Sequence, residues 1–206
     1  MNPLASNMVP AEKSSSIMPC VNGSLAACII LMFSLATFSR NSEVWRTELT
    51  AWENVVKTSP NKGRGRYNLG NEYKKLGLFD KAVPEYLLSL KLESDRTAIA
   101  DVYNNLGRIY EQTGLLDLAA AAYSNAIAAN PHHSVAYNNL GLIYLQNDQL
   151  DEAARMFQEA IRSEPGYAKA HFNLGRTLAA QGLKEEAARE FDKARVLGFK
   201  GEGINE

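Results

Sequence analysis

The sequence is short of the residues that staple small domains or build redox centres. Its 206 residues hold two cysteines, Cys20 and Cys28, and none follows. That excludes a disulfide framework for the bulk of the chain. An excess of one charge is also missing: 22 Lys and Arg stand against 23 Asp and Glu, for a formal net charge of −1. No overall basic field draws the chain to nucleic acid. Catalytic spacings are lacking too, with no glycine-rich phosphate loop, no GxSxG elbow, no HExxH and no paired-cysteine zinc spacing. His132-His133 follows Pro131 at a turn and has no further ligands beside it, so it reads as exposed turn. The expectation is a chain without metal or cofactor that is not an enzyme. No strand period occurs, and what is present is helical: the fold class expected is all-α.

Long apolar runs are confined to one place. Residues 1–20 are rich in Ser, Asn and Pro without helical or strand period, and read as disordered. Leu25 to Phe38 is then uncharged. At about 1.5 Å per residue it spans roughly 21 Å against a hydrocarbon core of roughly 30 Å. Extension over 21–39 comes close to that length but takes in Asn22, Gly23 and Ser24. Three readings stay open: a single transmembrane anchor, a signal peptide cleaved near Ser34-Leu35-Ala36, or a helix buried on the folded part. The anchor is the expectation adopted, so contact with a membrane runs through this segment. Lys13 on one side and Arg40 and Arg46 on the other leave its orientation open.

From Ser42 onward the chain is punctuated at a fixed interval. A first helical pattern over 42–60 places Val44, Trp45, Leu49, Trp52, Val55 and Val56 on one face and stops at Ser59-Pro60. Then RYNLGNEY, YNNLGRIY, YNNLGLIY and HFNLGRTL recur, with Leu-Gly pairs at Leu69, Leu106, Leu140 and Leu174, spaced by 37, 34 and 34 residues. Such a period signals stacked helical hairpins. Gly77, Gly114 and Gly182 mark the turn inside a unit, with Asn147-Asp148 in that place in the third.

These residues resemble the tetratricopeptide repeat, whose consensus is W-x2-L-G-x2-Y, A-x3-F and P over 34 residues. The third unit has Tyr137, Tyr144, Ala153, Phe157, Ala160 and Pro165 in those slots, and the second Tyr103, Tyr110, Ala119, Tyr123, Ala126 and Pro131. The fourth has His171, Leu178, Ala187, Phe191 and Ala194 without a closing Pro. The first has Arg66, Tyr73, Ala82 and Tyr86, with Ser89 and Ser94 where Ala and Pro are expected. The resemblance implies a right-handed solenoid with units over 63–96, 100–133, 134–167 and 168–201, preceded by a half-unit capping helix over 42–60 and followed by a tail over 202–206. The three additional residues between the first two units predict a longer first helix in unit two, starting near Ser94-Asp95.

The residue before each Leu-Gly is Asn68, Asn105, Asn139 or Asn173. In the resembled family the first helix of each hairpin lines the concave face, so these side chains fall in a line along a groove. This is similar to the asparagine ladder of protein O-GlcNAc transferases. An amide offers both a donor and an acceptor to the backbone of an extended peptide; the alternative is that the same amides tie neighbouring helices together. Asn71, Asn104, Arg108, Asn138 and Arg176 are the other expected groove residues, with Arg64, Lys75 and Lys169 beside them. The functional expectation is a membrane-tethered scaffold that docks an extended segment or helix of a partner protein.

Arg40 to Gly70 also resembles the junction at which polytopic glycosyltransferase-like membrane proteins pass from their last membrane helix to C-terminal tetratricopeptide units. That resemblance implies an alternative role, as accessory or detached module of such a system, and an extracytoplasmic repeat domain.

Overall fold

The computed structural model describes residues 48–200. The apolar segment over 21–39, the glycosyltransferase-like residues before position 48 and the tail over 202–206 lie outside them. Among the described residues the regular elements are all helical, and no helix is long and apolar enough to cross a membrane.

Helix α1 runs over 48–58. Four hairpins follow: α2 (Gly63–Lys75) with α3 (Phe79–Leu92), α4 (Arg96–Gln112) with α5 (Leu116–Ala129), α6 (Ser134–Gln146) with α7 (Leu150–Ser163), and α8 (Ala168–Ala180) with α9 (Lys184–Val196). We call the first helix of each hairpin A and the second B. The turn between them needs a left-handed residue, which Gly77, Gly114 and Gly182 supply at φ between 72° and 83°. In the third hairpin Asp148 takes the same conformation at φ 58°, a region that Asp and Asn tolerate better than other side chains. Helix α4 has 17 residues where the other A helices have 13. Its added turn opens on Asp95, whose carboxylate accepts from the Thr97 N–H at 2.8 Å, a side-chain cap of the usual kind. The three inserted residues therefore lengthen the helix, as expected.

The described residues share no single core. One buried cluster joins Ala82 and Tyr86 of the first hairpin to Val102, Leu106 and Ile109 of the second. Others join Ala119 and Tyr123 to Leu140 and Ile143, and Ala153 and Phe157 to Leu174. Each hairpin buries its apolar face only against its neighbours, the arrangement of a solenoid.

The Leu-Gly pair has a concrete cause inside each hairpin. A Cβ placed on Gly70, Gly107, Gly141 or Gly175 would lie 2.5–2.9 Å from a ring carbon of Tyr86, Tyr123, Phe157 or Phe191. The aromatic of helix B thus packs directly against the bare backbone of helix A in the same unit. The same rings also enter the buried clusters shared with the following hairpin, Tyr86 with Leu106 and Tyr123 with Leu140.

The departures from the repeat pattern also have local causes. Ser89, in an Ala slot, donates its hydroxyl to the Gly63 carbonyl at 2.9 Å. Arg66 on α2 reaches Glu85 on α3 at 2.8 Å and the Pro60 carbonyl at 3.0 Å. His171 on α8 occupies the equivalent place, with Glu190 on α9 at 2.6 Å and the Pro165 carbonyl at 3.2 Å. Where helix A carries a polar residue in the consensus Trp slot, helix B carries a glutamate opposite it. Where the slot holds Tyr103 or Tyr137, helix B carries Ala122 or Met156 instead.

Helix α1 packs on α2 much as a B helix would. A Cβ on Gly65 would meet Val55 Cγ1 at 3.3 Å, and the Tyr73 hydroxyl donates to Glu53 at 3.0 Å.

Candidate functional site

The A helices lie side by side, and their asparagines form a connected series. Asn105 on α4 donates to Tyr67 Oη and to Asn71 Oδ1 on α2, each at 3.2 Å. Asn139 on α6 donates to Asn104 Oδ1 on α4 at 3.0 Å, and Asn173 on α8 to Asn138 Oδ1 on α6 at 2.9 Å. Within α6, Asn138 reaches Asn139 at 3.5 Å, a long contact. The rule is simple: the Asn before Leu-Gly donates to the residue one position earlier in the motif of the preceding hairpin. That earlier residue is Tyr67, Asn104 and Asn138 in turn. In the fourth hairpin it is Phe172, which no described unit follows. Its ring packs on Phe199 at 4.6 Å between centroids and on Phe191 at 5.6 Å.

This geometry divides the expected groove residues. Asn105 has both donors engaged, and its Oδ1 accepts from Lys74 Nζ at 2.6 Å, so it has little left for a ligand. Asn104, Asn138 and Asn173 are buried and serve first as ties between helices. Asn71 spends its oxygen on Tyr86 Oη and Asn105, leaving its amide hydrogens. No A helix precedes Asn68 among the described residues, and it makes no hydrogen bond with them. Arg176 is exposed on α8 and lies outside the two recesses described next.

Two recesses open on this face. The first, of about 530 Å³, is lined by Trp52, Asn68, Asn71, Glu72, Lys74, Lys75, Arg108 and Gln112. The second, of about 390 Å³, is lined by Val135, Leu142, Tyr167, Phe172 and Phe199, with Asn138, Asn139, Asn173, Arg108 and Lys169. Arg108 borders both. A third recess, of about 420 Å³, lies where α2, α3 and α4 meet, and Arg64 and Asn68 line it beside Glu93, Asp95 and Asp101.

The first recess carries three cations against one carboxylate. Glu72 pairs with Lys75 at 2.6 Å, and the hydrogen bond it accepts raises the Lys75 pKa. Lys74 has no carboxylate partner among the described residues. Burial, then the charges of Arg108 and Lys75, hold its pKa down to about 8. Arg108 is exposed and makes no ion pair among the described residues. Sequence reasoning missed Lys74, Trp52, Phe172 and Phe199. A signal existed for Lys74, which lies one helical turn beyond Asn71 on the same face. No comparable signal existed for Phe199, which enters only because the chain reverses at Gly198, with φ 84°. Among the described residues no cluster of His, Cys, Asp and Glu is disposed to hold a metal ion.

Comparison with known proteins places this architecture. The tetratricopeptide repeat family matches over residues 63–96, 98–163 and 138–198. Among curated proteins, the uncharacterized protein ycf37 of Guillardia theta is 29% identical over 114 residues, covering 52% of this chain and 63% of that one. The chain thus spans less than two thirds of that relative. The crystal structure of MamA aligns with a TM-score of 0.65 at 28% identity, over 77% of this chain and 91% of that chain. The pilF protein of Pseudomonas aeruginosa aligns with a TM-score of 0.69 at 18% identity, over 86% and 79%. YrrB, a tetratricopeptide repeat protein with an unusual peptide-binding site, aligns with a TM-score of 0.58 at 21% identity, over 80% and 84%. The last two likenesses are of fold alone.

Proposed function

The chain belongs to the tetratricopeptide repeat family, and from that premise we propose that it docks an extended segment or helix of a partner protein along the A-helix face. Solenoids of this kind present extended concave surfaces for binding. The observation that carries the reading is that two recesses on this face share Arg108. Their linings take in Trp52 on α1 at one side and Phe199 beyond α9 at the other. Asn68, the Asn71 amide and Arg108 supply hydrogen bonds to a backbone, while the engaged asparagines keep the helices in register beneath it.

Display of a random twelve-residue peptide library against the full chain tests this. Recovery of peptides whose binding is abolished by the joint replacement Asn68→Ala, Arg108→Ala supports it. Peptides indifferent to that replacement, or none at all, overturn it.

The membrane tether over 21–39 belongs to the same proposal and rests on the apolar run in the sequence. Retention of the full chain in the membrane pellet after alkaline carbonate extraction supports it, and release into the supernatant overturns it. The extracytoplasmic side rests on the junction resemblance. Digestion of the repeats by protease added to intact cells supports that side, and protection until lysis overturns it.

A further inference from the structure

On the side away from helix A, the B helices present two kinds of exposed stripe. Those of α7 and α9 are charged, with Arg155 and Arg162 on the first and Glu185 and Arg189 on the second. The equivalent stripe of α3 has Pro84 and Leu87 at its centre, and that of α5 has Ala121 and Ser124. Charge is confined to the ends of these two stripes, at Asp80 and Lys91 on α3 and at Asp117 on α5. Leucines surround the uncharged centre: Leu87, Leu88 and Leu118 are 45%, 37% and 50% exposed. A surface repeated four times in backbone is thus apolar in two successive units and charged in the next two, so the repeat architecture is not what demands the leucines. An exposed apolar area rimmed by charge marks an interaction surface.

We propose that this face pairs with the same face of a second copy of the chain, α3 of one copy lying antiparallel along α5 of the other. The two-fold axis passes between α3 and α5, so each contact occurs twice. The stripes are Asp80, Pro84, Leu87 and Lys91 on α3 and Asp117, Ala121, Ser124 and Ala128 on α5. Both step by four, three and four residues, a spacing that reads the same in either direction. One register therefore sets Leu87 on Ala121 and Pro84 on Ser124, large side chains over small ones as helix packing favours. The same register brings Lys91 to Asp117. It also brings Asp80 to the end of α5, where the Arg96 guanidinium donates to the Ala128 and Ala129 carbonyls at 3.0 and 3.1 Å. The rim charges of one copy thus meet opposite charges on the other, which fixes register more than affinity. An anionic bilayer would instead repel Asp80 and Asp117. Each helix has 14 residues, about 21 Å of length. A face that long and two helices wide offers roughly half of the 800 Å² per partner of a standard interface, so the dimer is reversible. The A-helix recesses lie on the other side of each copy, and the inference is independent of the groove reading.

Disulfide cross-linking of the full chain tests the register. In a background of Cys20→Ser and Cys28→Ser, a chain with Leu87→Cys is mixed with a differently tagged chain carrying Ala121→Cys, and the mixture is oxidised. The expected product is a disulfide-linked dimer bearing both tags. Arg155→Cys, the equivalent of Ala121 on α7, should give at most a tenth as much with Leu87→Cys. Sedimentation equilibrium of the full chain should show a concentration-dependent dimer, which Leu87→Glu weakens at least tenfold. Leu87 is exposed, so that replacement should leave helicity by circular dichroism unchanged. Lys91→Glu should weaken the dimer several-fold, and Asp117→Lys in the same chain should restore it. Equal cross-linking at Ala121→Cys and Arg155→Cys overturns the proposal, as does a dimer indifferent to Leu87→Glu. A chain that stays monomeric, while Leu87→Glu weakens its binding to liposomes of phosphatidylcholine and phosphatidylglycerol, assigns the face to a bilayer and overturns it as well.

Discussion

Alanine at Gly107 tests the architectural role of the Leu-Gly pair where contact is tightest. The added methyl carbon would lie 2.5 Å from Tyr123 Cε1 and 2.6 Å from Cδ1, against an ordinary carbon–carbon contact of about 3.5–4.0 Å. The ring must therefore retreat by about 1 Å. It has no free space to enter: Tyr123 is fully buried, and its hydroxyl is held by Glu111 at 2.7 Å. Overpacking of this kind costs up to about 3 kcal/mol, while alanine gains about 1 kcal/mol over glycine in a helix interior. The net expectation is a loss of about 2 kcal/mol. Urea denaturation followed by far-UV circular dichroism measures it. Gly65→Ala is the control, because its nearest non-local neighbour is a valine methyl at 3.3 Å; it should be neutral or slightly stabilising. In a Tyr123→Leu background most of the Gly107→Ala penalty should disappear, since the opposing ring is gone. Should Gly107→Ala prove as stable as the parent, with unchanged denaturant dependence, the packing argument is wrong.

Three further expectations follow from the same geometry. Asn139→Ala should cost about 1 kcal/mol, because it strands the buried Asn104 oxygen, and a double-mutant cycle with Asn104→Ala should show coupling. The Glu190 carboxyl is held below its ordinary pKa of 4.5: burial opposes this, and the hydrogen bonds from Lys193 and His171 outweigh it. A carboxyl lowered in the folded state adds stability above its unfolded pKa and loses it as pH falls through the folded value, so Glu190→Gln should flatten the acid limb of a stability profile. Lys74, held down to about 8 chiefly by burial, loses its proton as pH rises. A lysine pKa lowered by folding subtracts stability at neutral pH and ceases to do so as pH rises toward the unfolded value, so stability by urea denaturation should rise over that alkaline range, and Lys74→Met should remove the rise.

The scaffold was legible in the sequence because its determinants are local and repeated. Leu-Gly, the aromatic of helix B and the glycine of the turn recur at fixed offsets, and each reports a short-range steric demand. The longer α4 could be read from the altered spacing for the same reason. The site was harder. The line of asparagines is visible, but an amide serves equally as helix tie or ligand contact. Only the positions of Tyr67, Asn104 and Asn138 show that Asn105, Asn139 and Asn173 point back to the preceding hairpin. Phe199 joins the second recess through a chain reversal, and Lys74 gains its character first from burial and then from Arg108 on a neighbouring A helix. Neither follows from a period.

The central claim, that the A-helix face is the docking surface, is tested most directly by photo-crosslinking. A recovered peptide carrying a benzophenone side chain is irradiated with the full chain, and the adducts are mapped by mass spectrometry. The account predicts adducts on α2, α4, α6 and α8 and at the residues next to Phe199. Adducts confined to α3, α5 and α7 would contradict it.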